Sequence, residues 1–221
     1  ESIVGFVSLY DVIFIKKIDT KKHEILFSGE FAKKINKKNT ISKLLDILET
    51  KKLLYNQKFQ KKIKKYIPLE AGLGGGSMNA ANILKYFVKK KIIKPSKKQI
   101  ISICKSIGSD VILGINSTYC VLSSNSKVRQ FKNCRKLYTL IIKPNFGCST
   151  KFMYSMVKRY DNPKLNTPSK KMLKFNYLKT LNNSLEIVAF SKFPELRKIK
   201  SFLERCSNLG FVRMTGSGSS L

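Results

Sequence analysis

Tryptophan is missing from this 221-residue chain, and histidine occurs once, as His23. That histidine falls in a polar turn between two strand-like runs, which argues against a histidine-driven catalytic triad. The five cysteines (Cys104, Cys120, Cys134, Cys148 and Cys206) are odd in number and far apart, with no Cys-x-x-Cys pair. Neither a zinc site nor a disulfide framework is indicated, and ordinary buried or part-buried thiols in a reducing cytoplasm are expected. No run approaches the ~20 apolar residues of a membrane span, and no signal peptide is recognisable, so no membrane partner is expected. Acidic residues are scarce as well, 13 against 44 Lys and Arg, a formal net charge of +31.

That charge is not read as a nucleic-acid footprint. Lysine supplies 38 of the basic residues and arginine only 6, whereas arginine is the preferred reader of phosphate and base edges. Lysine is spread through nearly every segment beside abundant Ile and Asn, which fits a background bias in composition. The densest clusters, Lys61 to Lys65 and Lys89 to Lys91, read as solvated surface at strand and helix ends. Such an excess still raises encounter rates with anionic substrates.

What the chain has is glycine in one place. Gly72, Gly74, Gly75 and Gly76 fall within five residues, after a strand-like run ending at Ile67 and before an apolar-periodic stretch. Glycine permits positive φ and close backbone approach. A helix follows, expected from about Ser77 to Lys90 with Ser77 as its cap, and Met78, Ala81, Leu84 and Phe87 on one face. An uncommitted helix start is a ready anion site, so the segment reads as a phosphate loop. It is not a Walker loop, because Met78 and Asn79 stand where Lys and Ser/Thr are needed. It is not the dinucleotide fingerprint either, because Ser77 closes the pattern where that motif has Gly or Ala.

The remaining elements alternate in an α+β manner. Strands are expected near residues 3–9, 11–18, 23–28 and 62–67. A helix capped by Asn39 or Thr40 carries Ile41, Leu44, Leu45 and Leu48 on one face. Ser96-Lys-Lys-Gln99 matches a capping box, with Gly108 closing that helix. Leu137 to Ile142 reads as a buried strand, a helix follows from about Lys151, residues 161–176 read as a polar surface loop, and a further helix spans about 194–206.

Three segments together resemble the GHMP small-molecule kinases. They are Pro68 to Ala81, Ile107-Gly-Ser-Asp-Val111 and Met214-Thr-Gly-Ser-Gly-Ser-Ser220, in the order and spacing of that family's motifs. The three-glycine-plus-Ser form is most similar to the branch acting on a cytidine diphosphate-linked polyol in isoprenoid precursor synthesis. The resemblance implies a two-domain α+β kinase: an S5 domain 2-like ATP-binding domain over residues 1–136 and a ferredoxin-like, substrate-side domain over residues 137–221. It implies Mg-ATP as cosubstrate, with no metal held by the protein itself. Pro68, Leu69, Glu70, Ala71, Gly72, Leu73, Gly74, Gly75, Gly76, Ser77 and Met78 would hold ATP. Asp110 would be the catalytic carboxylate, with partial burial expected from the apolar Val111-Ile-Leu113 behind it. Thr150 and Tyr154 would lie at the cytidine end of the acceptor, although Tyr154 reads equally well as a core aromatic. Thr215, Gly216, Ser217 and Gly218 would shape the cleft.

Two positions depart from the family pattern: Met78 replaces a second Ser, and Ile112 replaces a Pro. Family members also extend beyond both ends of this sequence, so a fragment of a longer reading frame is expected. The lysine that partners the aspartate, and a Tyr-His pair facing cytosine, would then lie upstream of Glu1, and this stretch alone would turn over little. The alternatives are another GHMP kinase, of homoserine or mevalonate type, and a basic RNA-binding protein of S5-like fold.

Overall fold

The computed structural model describes residues 1–221, all of the chain. Its strands are β1 (Ser2–Val4), β2 (Val12–Ile18), β3 (Glu24–Ser28), β4 (Lys58–Lys64), β5 (Cys120–Leu122) and β6 (Val128–Gln130). Its helices are α1 (Thr40–Thr50), α2 (Gly75–Lys89), α3 (Lys97–Ile107), α4 (Thr150–Ser155), α5 (Phe175–Thr180), α6 (Leu185–Lys192) and α7 (Pro194–Glu204). The chain forms two compact units. The first comprises Ser8–Ile67 and Gly74–Ser117, the second Glu1–Val7, Pro68–Leu73 and Thr118–Leu221.

In the first unit β4 is the central strand of three, antiparallel to β2 and parallel to β3. Side chains alternate across a strand, so Phe59, Lys61 and Ile63 of β4 point inward while Lys62 and Lys64 stay exposed. Helices α1, α2 and α3 close the core. Leu44 and Leu48 of α1, Ile83 and Phe87 of α2 and Ile103 of α3 are all fully buried. Each such side chain contributes about 1.5–3 kcal/mol of burial. Asn39, rather than Thr40, caps α1.

The lysine run here is not uniformly solvated surface. Lys61 is 0% exposed and Lys65 is 3% exposed. The strand's period of two sends alternate residues of the run inward whatever their type. The Lys61 ammonium donates to the Phe59 carbonyl at 2.9 Å and lies 5.6 Å from the Phe59 ring centroid. Burial is the main reason its pKa falls to about 7. His23 is likewise less exposed than a polar turn implies, with its side chain at 8%. Its Nδ1 accepts from the Phe59 N–H at 3.0 Å. Burial, followed by the charge of Lys61, lowers its pKa to about 4.

In the second unit β1, β5 and β6 form an antiparallel sheet in the order β1-β5-β6. Val121 packs with Leu165 and Met172 on it, and a separate core gathers Cys148, Met153, Leu196 and Met214. The loop over residues 161–176 is therefore not wholly surface, because Leu165, Met172 and Leu173 are buried and Lys170–Leu173 forms a 3-10 turn. The expected strand at Leu137 to Ile142 does not form. Tyr138 and Leu140 are exposed, and the backbone pairing there is between Ile142 and Leu221, with two hydrogen bonds of 3.0 Å. Apolar content made that segment look like a strand, but without a neighbouring ladder it has no sheet to join. Strand β1 is also shorter than the sequence suggested, and β4 lies earlier, ending at Lys64.

All five cysteines are free. Burial pushes Cys104 and Cys120 up to about 11, so both are inert thiols at neutral pH. No helix is long and apolar enough to cross a membrane.

Candidate functional site

Helix α2 begins two residues earlier than its sequence pattern implied, at Gly75 rather than Ser77. Gly74 occupies the cap position with φ 65°, in the left-handed region, and has open space where a Cβ would stand. Ser77 thus falls in the first turn. Its side chain does not cap the helix, and no other side chain does. The Met78 N–H reaches back to the Gly74 carbonyl at 2.9 Å. That leaves the N–H groups of Gly75, Gly76 and Ser77 as first-turn donors at the positive end of a 15-residue helix. The helix start is held on two sides. A Cβ on Gly75 would come within 2.9 Å of Ile67 Cγ2, and the Thr40 hydroxyl donates to the Gly76 carbonyl at 2.7 Å. A larger residue at Gly75 would displace the turn.

Asp110 directly precedes a 3-10 turn, Val111–Ile115, in the same unit. Gly114 lets that turn lie against α2, for a Cβ there would stand 2.6 Å from Ala81 Cβ and 3.0 Å from the Met78 sulfur. Met78 therefore packs sideways against the turn that follows Asp110. Asp110 itself is exposed, contrary to the partial burial expected, because Val111 and Leu113 turn into the core in its place. The Ser109 hydroxyl donates to its Oδ1 at 3.1 Å. Gly108 stands at the end of α3 as anticipated, but in extended conformation rather than left-handed, with its N–H on the Cys104 carbonyl at 3.1 Å.

The second unit brings Pro68–Leu73 together with residues 214–221. The Ser219 and Ser220 N–H groups donate to the carbonyls of Glu70 and Ala71, each at 3.2 Å, and the Cys148 N–H also reaches Glu70 at 3.0 Å. The Thr215 hydroxyl donates to the Gly72 carbonyl at 3.1 Å. Gly72 has φ 70°, and a Cβ on it would collide with the Thr215 carbonyl oxygen. Only glycine fits there. Thr150, the first residue of α4, hydrogen bonds with Ser217 at 2.9 Å. Tyr154, on the same helix, is 53% exposed, so it is not a core aromatic.

Two residues that support this loop went unnoticed in the sequence. Glu186, buried on α6, accepts the Met214 N–H at 2.7 Å through one oxygen and the Lys200 ammonium at 2.7 Å through the other. Asn183 donates to the carbonyls of Met214 and Gly216 at 2.8 and 2.7 Å. Short-range pattern carries no sign of such contacts, which span about 30 residues; an acid on the inner face of an apolar helix was the available signal.

Comparison with known proteins bears on this arrangement. Residues 39–123 match the family model described as GHMP kinases N terminal domain. The 4-diphosphocytidyl-2-C-methyl-D-erythritol kinase of Pelagibacter ubique is 52% identical over all of this chain and 79% of its own length. The enzyme of the same name from Carboxydothermus hydrogenoformans is 36% identical, over 72% of this chain and 58% of its own. Among solved structures, a crystal structure of 4-(cytidine 5'-diphospho)-2C-methyl-D-erythritol kinase superposes with a TM-score of 0.66 at 21% identity, covering 96% of this chain and 76% of that one. The homoserine kinase of Cytophaga hutchinsonii gives the same TM-score of 0.66 at 16% identity, covering 95% and 74%. The fold is shared by both kinases, so fold alone does not choose between their acceptors.

Proposed function

This chain belongs to the GHMP kinases and is a small-molecule kinase, and we propose that it transfers the γ-phosphoryl group of ATP to the 2-hydroxyl of 4-diphosphocytidyl-2-C-methyl-D-erythritol. The observation that carries the choice of acceptor is the 52% identity, along the whole chain, to a relative of that name. In the division of labour we propose, residues 1–136 serve ATP and residues 137–221 serve the acceptor. We place the reaction in the cytoplasm, where five free thiols would stay reduced.

In this reading the Pro68–Met78 segment receives the ATP phosphates. The uncapped first turn of α2 supplies N–H donors and a partial positive charge, and the glycines keep side chains out of the way. ATP would arrive with Mg²⁺ as the cosubstrate complex, the ion neutralising charge on the phosphate oxygens. Phosphoryl transfer depends mainly on such positioning and neutralisation. Asp110, exposed beside the Ser109 hydroxyl, accepts the proton of the acceptor hydroxyl as it attacks. Thr150 and Tyr154 face the cytidine end, where the Tyr154 ring offers a flat surface for the base. Thr215 to Gly218 hold Gly72 in shape.

ADP release with 4-diphosphocytidyl-2-C-methyl-D-erythritol, homoserine and mevalonate tests this reading, using protein expressed from its natural reading frame. Turnover is expected on the first acceptor only. Asp110→Asn is expected to lose about 10²–10⁴-fold in kcat with an unchanged melting temperature, because its side chain is exposed. Turnover on homoserine or mevalonate instead would discard the acceptor. Full activity in Asp110→Asn would discard the base.

A further inference from the structure

One buried carboxylate of the first unit has no part in that chemistry. Asp11 immediately precedes β2, and its side chain is 0% exposed. Both oxygens are fully used. Oδ1 accepts the N–H groups of Tyr66 and Ile67 at 2.8 and 2.9 Å, while Oδ2 accepts the Asn79 amide at 2.8 Å and the Lys65 ammonium. An ionised carboxylate has about four lone-pair sites, so none is left for a substrate.

The identity of the four donors is what matters. Lys65, Tyr66 and Ile67 are the last residues before the glycine-rich segment begins at Pro68, and Asn79 lies on α2, just after the segment ends. Asp11 therefore ties the chain that enters the segment to the helix that leaves it. The same Ile67 side chain is the neighbour a Cβ on Gly75 would strike, so the two arms also touch through packing. Burial alone would raise the Asp11 pKa, and the donors from Lys65, Ile67, Asn79 and Tyr66 outweigh it, holding the group below the usual carboxylate range. The carboxylate thus stays charged, and the tie persists, across the neutral range. A buried ion pair is a weak source of stability compared with apolar packing; a fixed geometry is what it supplies well.

We propose that Asp11 is a positioning residue for ATP, fixing the span between Ile67 and the first turn of α2 and so the direction in which Gly75, Gly76 and Ser77 present their N–H groups. This rests on the reading of that helix start as the phosphate site. Asn at position 11 keeps one oxygen for Tyr66 and Ile67 but turns an NH₂ group toward Lys65 and Asn79, cutting the tie on the helix side. Asn79→Leu cuts the same tie from the other end and leaves the buried ion pair intact.

The experiment is titration of wild type, Asp11→Asn and Asn79→Leu with ATP and with inorganic triphosphate, alongside KM for ATP and kcat. Leu48→Val, in the core of the same unit, controls for lost stability at a temperature where every variant is folded. The expected result is at least about tenfold weaker binding of both ligands in Asp11→Asn, and a smaller loss in Asn79→Leu. KM should rise more than kcat falls, and Leu48→Val should bind as wild type does. If Asp11→Asn fails to fold, Asn79→Leu carries the test. Wild-type affinity in Asn79→Leu and in any folded Asp11→Asn, or an equal loss in Leu48→Val, overturns the proposal alone. Failure of the wild type to bind ATP overturns the phosphate site, and the proposal with it.

Discussion

Helices α1 and α3 begin one way and α2 another. In α1 the Asn39 side chain accepts from the N–H groups of Ile41 and Ser42 at 2.9 and 3.1 Å, and the Ser42 hydroxyl accepts the Asn39 N–H at 2.9 Å. In α3 Ser96 and Gln99 make the same reciprocal pair at 3.2 and 2.8 Å. The protein thus satisfies its own orphan donors at two helix starts, each worth about 1 kcal/mol. At the third it places glycines, which forgo the cap and cost up to about 1 kcal/mol apiece in helix propensity. Of the first unit's three helices, α2 alone starts without a side-chain cap, which leaves its first-turn N–H groups to an anion.

The contrast can be broken by giving α2 what α1 has. Ser77→Asp adds a carboxylate in the first turn, where it repels phosphate. ATP affinity is expected to fall about a hundredfold, ~2.7 kcal/mol, while the melting temperature holds or rises slightly. Unchanged affinity by calorimetric titration would remove the phosphates from this helix. The converse change is Asn39→Ala, which strips the cap from α1. It should cost about 1 kcal/mol in denaturant unfolding and leave KM for ATP as it was. A shift in KM would mean that α1 is not a purely structural helix start.

Between these in size lies the same question of partnered and unpartnered groups, now in the core. Asp11 has four donors and keeps its charge, whereas Lys61 has one carbonyl and one ring and is driven toward neutrality near pH 7. In the unfolded chain Lys61 titrates near its usual 10.5, so between about 7 and 10.5 the unfolded state binds more protons than the folded one. Stability then rises with pH across that window, and below it the folded state carries the full cost of a buried charge. Lys61→Met is expected to stabilise the protein by about 1–4 kcal/mol near pH 6 and to flatten that rise. Urea unfolding at pH 6, 8 and 10 measures both, and a destabilised, equally pH-dependent variant would show the ammonium to be well solvated. His23, whose pKa falls to about 4, adds a second loss of stability as pH drops from about 6.5.

Local chemistry was readable in advance and long-range burial was not. Asn39, the Ser96–Gln99 box, the α2 face and the three glycine motifs each announce themselves within a few residues. Asp110 by its position reads as an ordinary turn aspartate, and only the resemblance of Ile107-Gly-Ser-Asp-Val111 to the family motif singles it out. Lys61 did not, since composition marks a Lys-Lys-Ile-Lys-Lys run as solvated and only strand phase reveals which lysines turn inward. Asp11 is invisible for another reason: its donors lie 54 to 68 residues away. The stretch from Leu137 to Ile142 shows the reverse error, an apolar pattern that promises a ladder where only Ile142 pairs, with Leu221.

The grip of residues 215–220 on Glu70 to Gly72 has a kinetic side. The Thr215 hydroxyl and the Gly72 carbonyl are 143 residues apart in sequence, so closing that contact is among the slowest conformational searches the chain must make. On a ribosome, α1, α2 and α3 can assemble from nearby sequence while the left-handed turn at Gly72 still lacks the backbone that shapes it. The turn at Gly72 would then take its shape last, only after residues 215–220 had emerged to grip it.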